Sequence, residues 1–340
     1  MAATALPTLS AKELTSDQEV RWCPGCGDYS ILAQMKKALA NVGVPKENMA
    51  FVSGIGCSSR FPYYMNTYGF HTIHGRAPTF ATGLRLANPD LQIWMVTGDG
   101  DGLSIGGNHL LHVIRRNIDI KILLFNNEIY GLTKGQYSPT SRMGTKTKTS
   151  PGGGSMETPA RPLTIALAAE ASFVARTIDV DIHPLTAGLQ RAAAHTGTAF
   201  VEIYQNCKIF NDGVFEYATD KSVKADNLLY LEHGKPLIFG KDRSKGIRLN
   251  GLRPEVVTVG KDCGPDDLLQ HDETLDDQTI ATMYSRMVGP EFPEVVGVYR
   301  NVRRPCYEEM LEKAITADVA KKGAGTVADL FKAEDIWTVG

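Results

Sequence analysis

The chain contains no run of 18 consecutive apolar residues, so it offers no segment long enough to cross a bilayer as a helix. It has no surplus of either charge: 36 Lys and Arg stand against 38 Asp and Glu. Without a basic excess there is no global field to draw it to nucleic acid or to an anionic membrane, and electrostatic recognition must be local. Cysteine is scarce, six in 340 residues, too sparse for a disulfide scaffold. The first fifteen residues mix Ala, Pro, Thr, Lys and Glu without the apolar core of a secretory signal. The expectation is a soluble cytoplasmic protein.

What is present reads as alternating strands and helices. Residues 29–42 set Tyr29, Leu32, Met35, Leu39 and Val42 at three- and four-residue spacing, which predicts a helix with one apolar face. Residues 49–53 read as a strand that ends in the loop Gly54-Ile55-Gly56-Cys57-Ser58-Ser59. Residues 91–97 (LQIWMVT) and 120–125 (IKILLF) are apolar without alternation, the pattern of parallel strands covered on both faces. Residues 103–116 read as the crossover helix between them. Helices at 163–171 and 184–195 and strands at 173–178 and 199–204 continue the series. This predicts an α/β fold, a doubly wound and mostly parallel sheet, with ligands at the carboxyl ends of its strands.

The expected division is an N-terminal extension over 1–20, the α/β domain over 21–208 and an irregular C-terminal arm over 209–340, with an acidic stretch at 261–277. The long loop 133–162, with its Pro-Gly-Gly-Gly-Ser, is of a length that is usually functional or disordered.

Two constellations carry chemistry. Gly98-Asp99-Gly100-Asp101-Gly102 directly follows one predicted strand, and Asn126-Asn127 directly follows the next. A hard cation such as Mg2+ takes oxygen ligands and shares them with phosphates. Asp99 and the Asn127 amide oxygen would supply two, while the glycines admit a diphosphate close to the backbone. Gly-Asp-Gly alone is an ordinary turn; its pairing with Asn-Asn at two strand ends makes the signal specific. A Rossmann nucleotide site would need Gly-x-Gly-x-x-Gly spacing, which is absent here.

The second constellation is cysteine. Cys23 and Cys26 form a Cys-Pro-Gly-Cys turn, Cys57 sits after the strand at 49–53, and Cys207 follows the strand at 199–204. Four thiolates at one sheet edge suit either a [4Fe-4S] cluster or a structural Zn2+. Cys263 and Cys306 have no such company.

The strings WCPGCGDYSIL, GIGCSSRFPYY, HGRAPTFATGLRLANP, TGDGDGLSIGGNH, FNNEIYGLTKGQYSPTS and VRRPCYEEM, spanning residues 21–310, resemble the beta subunits of 2-oxoacid:ferredoxin oxidoreductases, most of all those acting on 2-oxoglutarate. The resemblance implies thiamine diphosphate bound through Mg2+, with Asp99, Asn127 and the Ile129 carbonyl as ligands. It implies one [4Fe-4S] cluster on Cys23, Cys26, Cys57 and Cys207, and a cofactor-binding set that adds Gly56, Ser58, His74, Gly98, Gly100, Asp101, Gly131 and Leu132. It also implies the reaction: oxidative decarboxylation of a 2-oxoacid, with coenzyme A taking the acyl group and electrons passing through the cluster to ferredoxin.

No segment offers a second α/β domain for the aminopyrimidine ring, so the resemblance implies an alpha subunit that supplies that half and the activating Glu. Arg60 and Lys134 are the candidate cations for the second carboxylate of 2-oxoglutarate, and His74 is a candidate near the cofactor. Pyruvate or broad-range members of the family, a non-oxidative thiamine decarboxylase and a zinc-stapled assembly protein are the competing readings.

Overall fold

The computed structural model describes residues 8–331 and Trp337; residues 1–7 of the expected N-terminal extension lie outside the described residues. Among the described residues eleven strands form two sheets: β1 Met49–Ser53, β2 Tyr68–His71, β3 Gln92–Gly98, β4 Lys121–Asn126, β5 Phe173–Ile178, β6 Ala199–Tyr204, β7 Leu228–Tyr230, β8 Ile238–Phe239, β9 Lys245–Asn250, β10 Arg253–Thr258 and β11 Glu294–Asn301. The large sheet runs β2-β1-β3-β4-β6-β5-β11-β7, and β8, β9 and β10 make a small antiparallel one. The first six strands of the large sheet are mutually parallel.

The helices that position the site are α1 Asp28–Ala40, α2 Ala77–Ala87, α3 Asp99–Leu103, α4 Gly107–Arg115, α5 Pro162–Ala168 and α6 Ile182–Ala194. They cover both faces of the sheet, which is why its strands do not alternate in sequence. Ile93, Met95, Ile122 and Leu124 pack into one core, and Trp94, Val96, Leu123 and Phe125 into the other. Each such side chain contributes roughly 1.5–3 kcal/mol by leaving water. A centre held this firmly can present polar, glycine-rich loops at its carboxyl edge.

The chain leaves β1 for the outer edge at β2, then returns to β3 on the other side of β1. That reversal opens a crevice between the carboxyl ends of β1 and β3, the place where ligands collect in such sheets. The loop 54–59 and α3 border it.

Several elements differ from the sequence reading, which placed no strand at β2 or at β7 to β11 and no helix at α2. The single crossover helix over 103–116 is two helices, α3 and α4, broken at Ser104, where ψ is −104°. Helical structure therefore begins at Asp99 itself. The arm over 209–340 also returns to the main sheet: β11 pairs antiparallel with β5 and parallel with β7. Arg176 of β5 fixes that junction, buried between Glu202 of β6 and Glu294 of β11. The β-branched run Val295-Val296-Gly297-Val298 was the signal for this strand. Carboxylates of the acidic stretch are used locally: Glu273 pairs with Arg191 and Asp276 with Arg300.

Candidate active site

The structure brings Gly56, Cys57, Ser58, His74, Gly98, Asp99, Gly100, Asp101, Asn127, Ile129, Gly131 and Leu132 onto the walls of one cleft. Asp99 is only 2% exposed. Its Oδ2 accepts hydrogen bonds from the hydroxyls of Ser138 and Thr140, both in the long 133–162 loop. Burial pushes its carboxyl up to about 6, against the lowering effect of those hydroxyls. A buried carboxylate in this state is relieved by a cation. Gly100 lies under Tyr130: a Cβ there would stand 2.2 Å from the tyrosine ring, and the Tyr130 hydroxyl donates to the Gly100 carbonyl at 3.0 Å. Only glycine fits.

Asp101 has another occupation. Its Oδ1 accepts from the Gly75 amide at 2.9 Å and faces His74 Nδ1 at 3.1 Å, and its Oδ2 accepts from the Thr97 hydroxyl at 3.1 Å. A Cβ on Gly54 would lie 1.9 Å from that Oδ2. Asp101 fastens the turn at 74–75 to the loops of β1 and β3, and His74, half exposed, is held on it. Asn127 donates through Nδ2 to Gln205 Oε1 at 2.7 Å, while its Oδ1 accepts the Ile129 amide at 3.2 Å.

A second cavity of about 180 Å3 adjoins the first, and Cys23, Cys26, Cys57 and Cys207 all line it. Gly25, at φ +80°, lets the Cys23–Cys26 turn close, with the Cys26 amide on the Cys23 carbonyl at 3.1 Å. The Trp22 indole donates to the Cys57 carbonyl at 2.7 Å. Opposite, a Cβ on Gly131 would stand 3.4 Å from the Cys207 sulfur and 3.6 Å from that of Cys57.

Burial pushes the Cys26 thiol well above the ordinary range and Cys57 to about 12, and it raises Cys207 as well. Buried thiols crowded in this way ionise only against strong positive charge, which a metal centre supplies. Among the described residues no three His, Cys, Asp or Glu side chains close tightly enough to hold a single ion; the four cysteines share the walls of one cavity instead.

Cys57, Asn127, Gly131 and Leu132 belong to both cavities. Arg60 and Lys134 line the cysteine cavity rather than the cleft, and Arg60 Nη1 already donates to the Arg21 carbonyl at 3.0 Å. Lys134 has φ +74°, a conformation that side chains adopt at a cost and that clusters at functional sites.

Sequence reasoning missed several residues here. Ser138 and Thr140 had a signal in the hydroxyl pair of Tyr137-Ser138-Pro139-Thr140-Ser141, but nothing in sequence said which acid they would meet. Tyr130 and Gln205 had none. Asp28, beside the cysteines, is buried with neither carboxyl oxygen hydrogen-bonded, and burial pushes it up to about 7.

Residues 54–203 match the family model of the thiamine pyrophosphate enzyme C-terminal TPP binding domain. The chain is 49% identical over 331 residues, 96% of its length and 88% of the relative's, to 2-oxoglutarate oxidoreductase subunit KorB of Mycobacterium tuberculosis. It is 42% identical over 240 residues, 71% of its length and 84% of the relative's, to 2-oxoglutarate synthase subunit KorB of Archaeoglobus fulgidus. Among solved structures it resembles the 2-oxoglutarate:ferredoxin oxidoreductase from Magnetococcus marinus with 2-oxoglutarate, coenzyme A and succinyl-CoA bound. The TM-score is 0.76 at 30% identity, covering 98% of each chain.

Proposed function

The chain belongs to the beta subunits of the 2-oxoacid:ferredoxin oxidoreductases, and from that premise we propose that it works with an alpha subunit to convert 2-oxoglutarate and coenzyme A to succinyl-CoA and CO2, reducing ferredoxin. It binds thiamine diphosphate and Mg2+ in the cleft over Asp99 and one [4Fe-4S] cluster on Cys23, Cys26, Cys57 and Cys207. The observation that carries this reading is the wall common to the two cavities, Cys57, Asn127, Gly131 and Leu132. Thiamine diphosphate supplies the carbanion chemistry of decarboxylation, and an iron-sulfur centre beside it accepts electrons singly.

The protein's own residues hold and orient. Asp99 neutralises the cation, with Ser138 and Thr140 fixing its Oδ2; Asn127 Oδ1 and the Ile129 carbonyl complete the protein's share. The glycines at 98 and 100 let the diphosphate approach the backbone, and Tyr130 braces that backbone from behind. His74, anchored on Asp101, stands at the lip of the cleft.

Among the described residues there is no second α/β domain to cover the far half of the cofactor, which supports an alpha subunit as the source of that half and of an activating Glu. Edge strand β2 is exposed along its whole length, and Tyr68, Phe70, Ile73 and Phe80 are exposed around the lip that carries His74. Apolar surface of that kind marks an interface, so the alpha subunit docks there. The largely exposed helix Tyr307–Lys322 serves the same assembly.

Metal and acid-labile sulfide analysis of anaerobically purified protein tests the reading. Iron with sulfide supports it. Zinc points to a stapled assembly protein, and the absence of all three to a non-oxidative decarboxylase.

The 2-oxoglutarate assignment is supported by relatives named for that acid, and Arg60 and Lys134, both on the wall of the cysteine cavity beside the cleft, are the proposed cations for its second carboxylate. A guanidinium pairs with a carboxylate in bidentate fashion, and pyruvate has no second carboxylate to use it. Arg60→Ala should lower kcat/KM for 2-oxoglutarate by about 1.5–3 kcal/mol more than for pyruvate or 2-oxobutyrate. Steady-state kinetics of the reconstituted complex with all three acids is the measurement. An equal loss for each acid would move Arg60 to the carboxylate that all three share.

A further inference from the structure

Gln205 lines the cysteine cavity and reaches the cleft through Asn127, a residue of the wall that the two cavities share. It follows β6 directly, its own amide donates to the Asn126 carbonyl at 2.9 Å, and it is 1% exposed. Its side chain makes three contacts that together use the whole carboxamide. Nε2 donates to the Asn206 carbonyl at 2.6 Å and to the Cys26 sulfur at 3.2 Å, and Oε1 accepts from Asn127 Nδ2 at 2.7 Å.

The orientation of this amide is fixed by chemistry. A backbone carbonyl only accepts, so the nitrogen of Gln205 must face Asn206, and its oxygen must then face Asn127. The oxygen can only accept, so Asn127 must turn its nitrogen to Gln205 and keep Oδ1 on the opposite side. One carbonyl thus sets two amides in sequence. The end of that chain is the oxygen assigned to Mg2+.

We propose that Gln205 is the positioning residue that joins the diphosphate site to the cluster: it holds Asn127 with its oxygen presented to the cation, and it donates a hydrogen bond to the Cys26 ligand sulfur. The proposal rests on the cofactor assignments made above and adds a residue to neither ligand set. Its physical consequences are separable. Loss of the acceptor frees the Asn127 amide to rotate, which weakens cation and diphosphate binding. Loss of the donor removes a hydrogen bond from a cluster sulfur, and such bonds stabilise the more negative, reduced cluster and raise its reduction potential.

Gln205→Met keeps the length and removes all three polar contacts. In the anaerobically purified complex, this variant should retain iron and sulfide at wild-type content. Its cluster should titrate at a more negative potential, read by spectroelectrochemistry. Calorimetric affinity for thiamine diphosphate at saturating Mg2+ should fall about three- to tenfold, the size of one or two lost hydrogen bonds.

Gln205→Glu separates the two roles, because it keeps an acceptor for Asn127 and has no N-H for Cys26. Its potential should fall at least as far as in the Met variant, with a smaller loss of cofactor affinity. Circular dichroism and melting temperature identify a variant that has failed to fold, in which case the Glu variant decides. Wild-type protein without iron would defeat the cluster assignment itself. Full iron with unchanged potential and unchanged cofactor affinity in a folded Gln205→Met would overturn the role of Gln205 alone.

Discussion

Cys207→Ser is expected to strip the proposed cluster and abolish ferredoxin reduction, while leaving thiamine diphosphate binding largely in place. Cys207 follows β6 and meets Cys57 across Gly131, and it shares the walls of one cavity with the Cys23–Cys26 turn. A serine hydroxyl stays protonated at neutral pH and is a hard, poor ligand for iron-sulfur chemistry. Cys23→Ser, Cys26→Ser and Cys57→Ser should behave alike. Cys306 lies elsewhere, buried beside Asn117, and Cys263 neighbours the small sheet; serine at either should leave iron and activity intact. Iron, sulfide and ferredoxin reduction are the measurements. A Cys207→Ser protein with full iron and wild-type activity would remove it from the ligand set.

Asp99→Ala should collapse cofactor binding. Removing a buried charge that faces a cation costs about 2–5 kcal/mol, or roughly thirtyfold to several thousandfold in affinity at 1.4 kcal/mol per decade. Calorimetric titration with thiamine diphosphate and Mg2+ reads this directly, and an unchanged affinity would sink the site. The empty protein gives a second signature. Burial raises the Asp99 carboxyl from 3.8 to about 6. A raised acid favours the folded state only when protonated, so its penalty is present at pH 7 and fades as pH falls through 6 toward 4. The stability gain of cofactor-free wild type over that window should shrink in Asp99→Ala, measured by denaturant unfolding at several pH values.

The fold was legible because its strands are covered on both faces: runs such as Ile93-Trp94-Met95-Val96 have no polar member, and their lengths match the observed strands to within a residue or two. β11 was harder to see, since Gly297 interrupts it and its partner β5 lies more than a hundred residues upstream. The diphosphate cleft was readable where its residues sit directly after strands, as Asp99 and Asn127 do. Asp101 looks like Asp99 in the same short motif, and only three dimensions reveal that its carboxylate is committed to Gly75 and Thr97. Ser138 and Thr140 reach Asp99 across some forty residues of chain, and Gln205 reaches Asn127 across 78. Hydrogen bonds of this range leave no periodic trace in sequence.

The bare edge of the sheet bears on how the protein must be made. β2 carries Tyr68 and Phe70 outward, 59% and 42% exposed, beside backbone groups with no neighbouring strand. Such an edge is a template for adventitious pairing between chains. A cell that made this chain in excess of the proposed alpha subunit would hold a pool of exposed edges, and the population trapped in aggregates would grow with that excess. On the proposed pairing with an alpha subunit, balanced synthesis of the two polypeptides would limit that loss, and co-expression is the route to material fit for every experiment above.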